Sequence, residues 1–135
     1  MATHADAELI LKLYDLRREP VMRTARATWL GWWPVDGADA KAAGTVTTLE
    51  INAYIRQVTS YWEMAFSLAN QGAIDGELFA RNCGEGILSV LKCQHLAAKY
   101  PGDWTRKMPE GEAFIAGSVT ATAKAASMQS RFAGK

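Results

Sequence analysis

Four side chains carry the right chemistry to hold a metal: His4, Cys83, Cys93 and His95. Structural zinc favours close ligand pairs, with cysteines about two to four residues apart. Here the cysteines lie ten positions apart. Cys93 and His95 are two apart, a spacing that turns them about 200° away from each other on a helix. The expectation is two small packed thiols, a satisfied histidine and no metal. Nucleophilic catalysis needs a cysteine beside a base. Cys83 precedes Gly84-Glu85-Gly86, near a helix start that can lower a thiol pKa. His95 reaches it only if the fold doubles back, so a packed cysteine at a helix junction is preferred and no catalytic residue is assigned. The same tripeptide lacks the preceding strand, third glycine and Lys-Ser/Thr of a phosphate loop.

Carboxylates offer more. Glu63 follows Trp62 on a strongly periodic segment, and Glu85 lies close to it if the helices pack antiparallel. Two carboxylates in a dry pocket perform acid–base work. A pocket bounded by Trp62, Glu63 and Glu85, with Arg17 or Arg56, would suit a small ligand or an enzyme. The commoner outcome is a solvated or arginine-paired glutamate. Aromatic residues give the other signal. Trp32 and Trp33 are adjacent and cannot both face one core, so Trp29, Trp32 and Trp33 are the candidate interaction surface, Trp being a frequent interface anchor.

Charge narrows the field. Fifteen Lys and Arg stand against fourteen Asp and Glu, a balance unlike that of a phosphate-gripping nucleic-acid binder. The Gly72–Asp75 corner suggests a helix-turn-helix, but the helix after it sets only Arg81 and Asn82 against Glu77 and Glu85. No apolar run reaches the length of a membrane span. A polar, acidic start and two cysteines point to a soluble cytoplasmic protein.

The elements that position these residues are helical. Pro20 separates a Leu9-Leu13-Leu16 stripe from an out-of-phase Met22-Ala25-Trp29-Trp32 stripe, which predicts a kinked or broken first helix over about 5–33. Thr3 or Asp6 caps its start. Residues 35–44 read as a loop. Thr47 and Glu50 form a capping-box pattern before Ile51, Ile55, Val58, Trp62, Ala65 and Ala69, the spacing of a buried face. Asn52, Arg56, Thr59 and Glu63 then belong to the watered side. Asp75 caps a short helix over 76–82, with Ile74 and Phe79 as its staple. A further helix spans 84–99, burying Ile87, Leu88, Leu91 and His95 or Leu96. After a loop carrying Trp104, a helix over 110–131 rests on Phe114, Ile115 and Val119. Residues 1–135 thus read as a single domain, an all-α bundle of four to five helices whose tail frays after about 128.

Two stretches carry a resemblance. Leu13-Tyr14-Asp15-Leu16-Arg17-Arg18, continuing to Met22-Arg23 and Ala25-Arg26, resembles the N-terminus of small proteins from environmental bacteria. Tyr61-Trp62-Glu63, then Gly72-Ala73-Ile74-Asp75, Leu78-Phe79 and Gly86-Ile87, is similar to a broader bacterial helical family of unknown function. The resemblance implies a helical fold and assigns no functional residue. Some members of that family carry an N-terminal membrane helix that this chain lacks. The leading expectation is a helical interaction or structural module, self-associating or docking on a protein partner, with no cofactor and no nucleic acid. The alternative is a small-ligand binder or enzyme using the carboxylate and arginine pocket; an enzyme is the less favoured reading.

Overall fold

Residues 1–135 are all described by the computed structural model. Three quarters of the chain is helical and no strand forms, so the class is all-α. The helices number eight, not four or five: α1 (His4–Leu16), α2 (Pro20–Gly31), α3 (Gly37–Thr45), α4 (Glu50–Asn70), α5 (Gly76–Asn82), α6 (Gly84–Lys99), α7 (Pro109–Gly117) and α8 (Val119–Met128). A 3₁₀ turn, Gln129–Phe132, follows and buries Phe132.

Helix α4 is the axis. Ile55, Val58, Trp62, Ala65 and Ala69 are buried at the expected spacing, and Phe66 joins them. One apolar core of 27 residues takes a member from every helix. At the other end of the chain's order, α1 begins with a closed capping box: Thr3 N donates to Asp6 Oδ2 (2.7 Å) and Asp6 N to Thr3 Oγ1 (3.3 Å). At Pro20 the helix is broken rather than kinked. Proline opens α2 where its missing donor costs nothing, and the Glu19 carboxylate accepts from Val21 N and Met22 N. The break lets the two stripes face inward at different phases. Of Leu9, Leu13 and Leu16, only Leu13 is buried.

Three local expectations are corrected. Residues 37–45 are a helix, because Asp36 caps it through Asp39 N (2.8 Å) and alanines fill it. The Thr47–Glu50 box does not close: Leu49 N bonds back to Val46 O, so a turn occupies Thr47 and α4 starts at Glu50 without a side-chain cap. The segment 110–131 splits into α7 and α8 at Ser118, whose hydroxyl caps α8 through Ala121 N, and this leaves Val119 exposed.

The largest correction concerns the polar side of α4. Asn52 and Thr59 are buried, not solvated. Asn52 Nδ2 donates to Ala43 O at the end of α3 (2.9 Å), and Arg106 Nη1 donates to Thr59 Oγ1 (3.0 Å). Glu63 accepts from Glu110 N (3.0 Å) and Gly111 N (2.9 Å), filling the place of the side-chain cap that α7 lacks. This polar row ties three neighbouring segments to the axis. Gly111 sits at the closest approach, where an added Cβ would lie 2.4 Å from Val90 Cγ2.

Candidate functional site

Arg17 ends α1, Arg26 lies on α2, Trp62 is midway along α4 and Glu85 occupies the first turn of α6. A glutamate there suits the positive end of the helix dipole. It also receives both arginines. Arg17 Nη2 donates to Glu85 Oε2 at 2.8 Å, and Arg26 Nε lies 2.9 Å from both Glu85 oxygens. Arg26 Nη1 closes the corner by donating to Arg17 O (3.2 Å). Two guanidinium charges against one carboxylate leave the triad at +1.

The Arg17 guanidinium stands 5.1 Å from the Trp62 ring and 5.2 Å from Tyr14. Beside them lies a cavity of about 110 Å³, lined by Ile10, Leu13, Tyr14, Arg17, Tyr61, Trp62, Phe79 and Asn82. Two buried donors on residues that line it, Arg17 Nε and Trp62 Nε1, have no acceptor, as do Trp104 Nε1 and Arg106 Nε elsewhere in the molecule. Gly86 fixes the ring: an added Cβ would lie 2.6 Å from Trp62 Cε3. The Tyr61 hydroxyl donates to Leu13 O and so fastens α1 over α4. Burial pushes that phenol up to about 12, which keeps it a donor.

A second cation lies over indoles elsewhere. Lys92 of α6 is almost wholly buried, and its Nζ donates to the carbonyls of Trp29 and, at 2.5 Å, Trp32. It stands 4.4 Å from the Trp29 ring and 4.2 Å from the Trp33 ring. Trp29 stacks on Trp32 and Trp104, and its Nε1 donates to Ser89 Oγ (3.1 Å). Desolvation lowers the Lys92 pKa to about 7.

Of the residues singled out for a pocket, Arg17, Trp62 and Glu85 come together. Glu63 caps α7 instead, and Arg56 Nε bonds Asn52 Oδ1 (2.8 Å). Of the three tryptophans, Trp29 is fully buried and Trp32 and Trp33 are half-buried around Lys92. Cys83 and Cys93 are free and buried, and burial pushes both thiols up to about 12. His95 stacks on Phe132 at 5.4 Å, and His4 is exposed at the start of α1. No three His, Cys, Asp or Glu side chains converge. Sequence reasoning missed Lys92, although Leu88-Lys92-Leu96 at four-residue spacing puts it on the buried stripe. It also left Arg26 out of the pocket. No signal in a single sequence pairs residues 26 and 85.

A family described as a domain of unknown function (DUF4760) matches residues 2–101, about three quarters of the chain. That span holds every residue lining the Arg17–Trp62 cavity. No curated protein and no solved structure matches the chain. No helix is long and apolar enough to cross a membrane.

Proposed function

The chain belongs to the DUF4760 family, and from that premise we propose that it is a small-ligand-binding protein whose site is the cavity beside Arg17 and Trp62. The pair of unmet donors carries this reading. A buried donor without an acceptor costs about 1–3 kcal/mol, and an entering acceptor relieves that cost at both atoms. The triad's residual positive charge favours an anion over a neutral acceptor. Apart from Asn82 the remaining wall is aliphatic and aromatic, with Ile10, Leu13 and Phe79 placed to meet a hydrocarbon tail. A closed cavity of about 150 Å³ holds the six carbons of benzene, so 110 Å³ open at one side takes most of a monocarboxylate of up to about four carbons. The ligand class is a short-chain monocarboxylate, its oxygens accepting from Arg17 Nε and Trp62 Nε1.

Titration calorimetry with butyrate tests this. Butyrate binds with a Kd of about 1 mM or tighter, 1-butanol at least about tenfold more weakly, and Ile10→Trp abolishes binding by filling the cavity. No heat with butyrate, or unchanged binding in Ile10→Trp, refutes the reading and leaves water as the occupant.

A second reading, a helical interaction module that self-associates or docks on a protein partner, draws on a separate observation. Leu16, Met22, Tyr61 and Met64 line an open groove on the outside of α1, α2 and α4, and Leu16 and Met64 are exposed. Light scattering after gel filtration separates the two. A monomer at high concentration, unaltered by Leu16→Glu, counts against self-association. Free buried thiols suit a reducing compartment such as the cytoplasm for either reading.

A further inference from the structure

A second cavity, of about 300 Å³, opens between the end of α2, α6 and the closing 3₁₀ turn. Its wall combines Leu30, Trp33, Leu88 and Phe132 with three basic side chains, Lys92, Arg131 and Lys135, and contains no acidic side chain. Lys92 is 2% exposed. Its Nζ lies 4.2 Å from the Trp33 ring, and Lys135 Nζ lies 5.7 Å from the same ring. Two lysine amines therefore share one indole. Like charges so placed repel, with water screening part of that repulsion at the exposed Lys135. The molecule has four ion pairs and none includes Lys92, Arg131 or Lys135. The carbonyls of Trp29 and Trp32 supply partial charges to Lys92 alone. No acidic side chain of the wall offsets its basic ones.

Its apolar part is flat and held in place. Trp33 meets His95 and Phe132 edge-on at 5.8 and 5.9 Å, which fixes the ring that faces both cations. Gly31 adds open room, since a Cβ there would touch nothing within 4 Å. We infer that this cavity binds a small aromatic carboxylate, with its ring against Trp33 and Phe132 and its charge facing Arg131 and Lys135. Lys92, on the same wall, adds to the field. The site shares no residue with the Arg17–Trp62 cavity, and it draws on Arg131, Phe132 and Lys135, which lie outside the span matched by the family.

Calorimetry with 2-naphthoate, run beside neutral 2-naphthalenemethanol and inorganic phosphate, tests the inference. Naphthoate binds, the alcohol binds at least about tenfold more weakly, and phosphate does not bind. The double variant Arg131→Ala/Lys135→Ala removes two exposed side chains and weakens naphthoate at least about tenfold, whereas Ile10→Trp leaves it unchanged. Equal binding of the alcohol, or full affinity in the double variant, overturns the inference. Phosphate binding as tight as naphthoate also overturns it, because the flat apolar wall would then have no role.

Discussion

Arg17 and Lys92 are both basic groups laid against tryptophan inside the same bundle, and they are held in different ways. Arg17 shares the Glu85 carboxylate with Arg26 and keeps a donor without an acceptor. Lys92 has no carboxylate and gives its hydrogens to the last carbonyls of α2, where a cation also suits the helix dipole. A guanidinium is a rigid fork whose five donors are hard to satisfy together, whereas an ammonium swings its three to whatever is near. The rigid fork therefore leaves an unmet demand at one cluster. The mobile amine closes the α2 end at the other, and only the space beyond Trp33 remains cationic.

Removing the counter-charge should give the largest effect. Glu85→Ala strands two partly buried guanidiniums and costs about 3 kcal/mol in urea unfolding. Gly86→Ala comes next. Its methyl meets the Trp62 ring and Phe66, so the ring must shift; stability falls by about 2 kcal/mol and butyrate binding weakens as the cavity wall moves.

The third test is pH. Lys92 falls from its ordinary 10.5 to about 7 on folding, so the unfolded chain binds more protons between those values. Stability therefore rises with pH from about 7, by at most about 1.4 kcal/mol per unit. Cys83 and Cys93 (ordinarily 9.0) and Tyr61 (ordinarily 10.0) are raised to about 12, so the folded chain holds protons longer there. Above about pH 9 their effect reverses the trend. Melting temperature across pH 6–11 reads both limbs. Lys92→Met keeps the falling limb and flattens the rising one. At pH 7 this variant should cost under about 1 kcal/mol, the smallest effect, because an uncompensated charge leaves along with the donor. A cost in Lys92→Met matching that of Glu85→Ala would erase the distinction between the two clusters.

The fold was legible where one helix face decided the matter. Ile55, Val58, Trp62, Ala65 and Ala69 sit where their spacing put them, and Asp75 caps α5 through Leu78 N. Polar residues were misjudged, because their burial depends on partners far along the chain. Asn52 and Glu63 have the look of solvent residues until Ala43, Glu110 and Gly111 bring backbone groups to them. Half of the candidate pocket was readable for the same reason. Trp62 lies on the apolar stripe, and Arg17 and Glu85 each sit at a helix end. The Arg26 contact spans 59 residues and has no local signature.

The account's centre is the pair of donors at Arg17 Nε and Trp62 Nε1, and nitrogen-resolved NMR observes both directly. The Trp62 indole resonance is identified by its loss in Trp62→Phe. With butyrate it should move downfield and saturate together with the Arg17 Nε–H signal, while the other four indoles stay within their linewidths. A Trp62 signal that ignores butyrate, or that moves no more than those four, would contradict it.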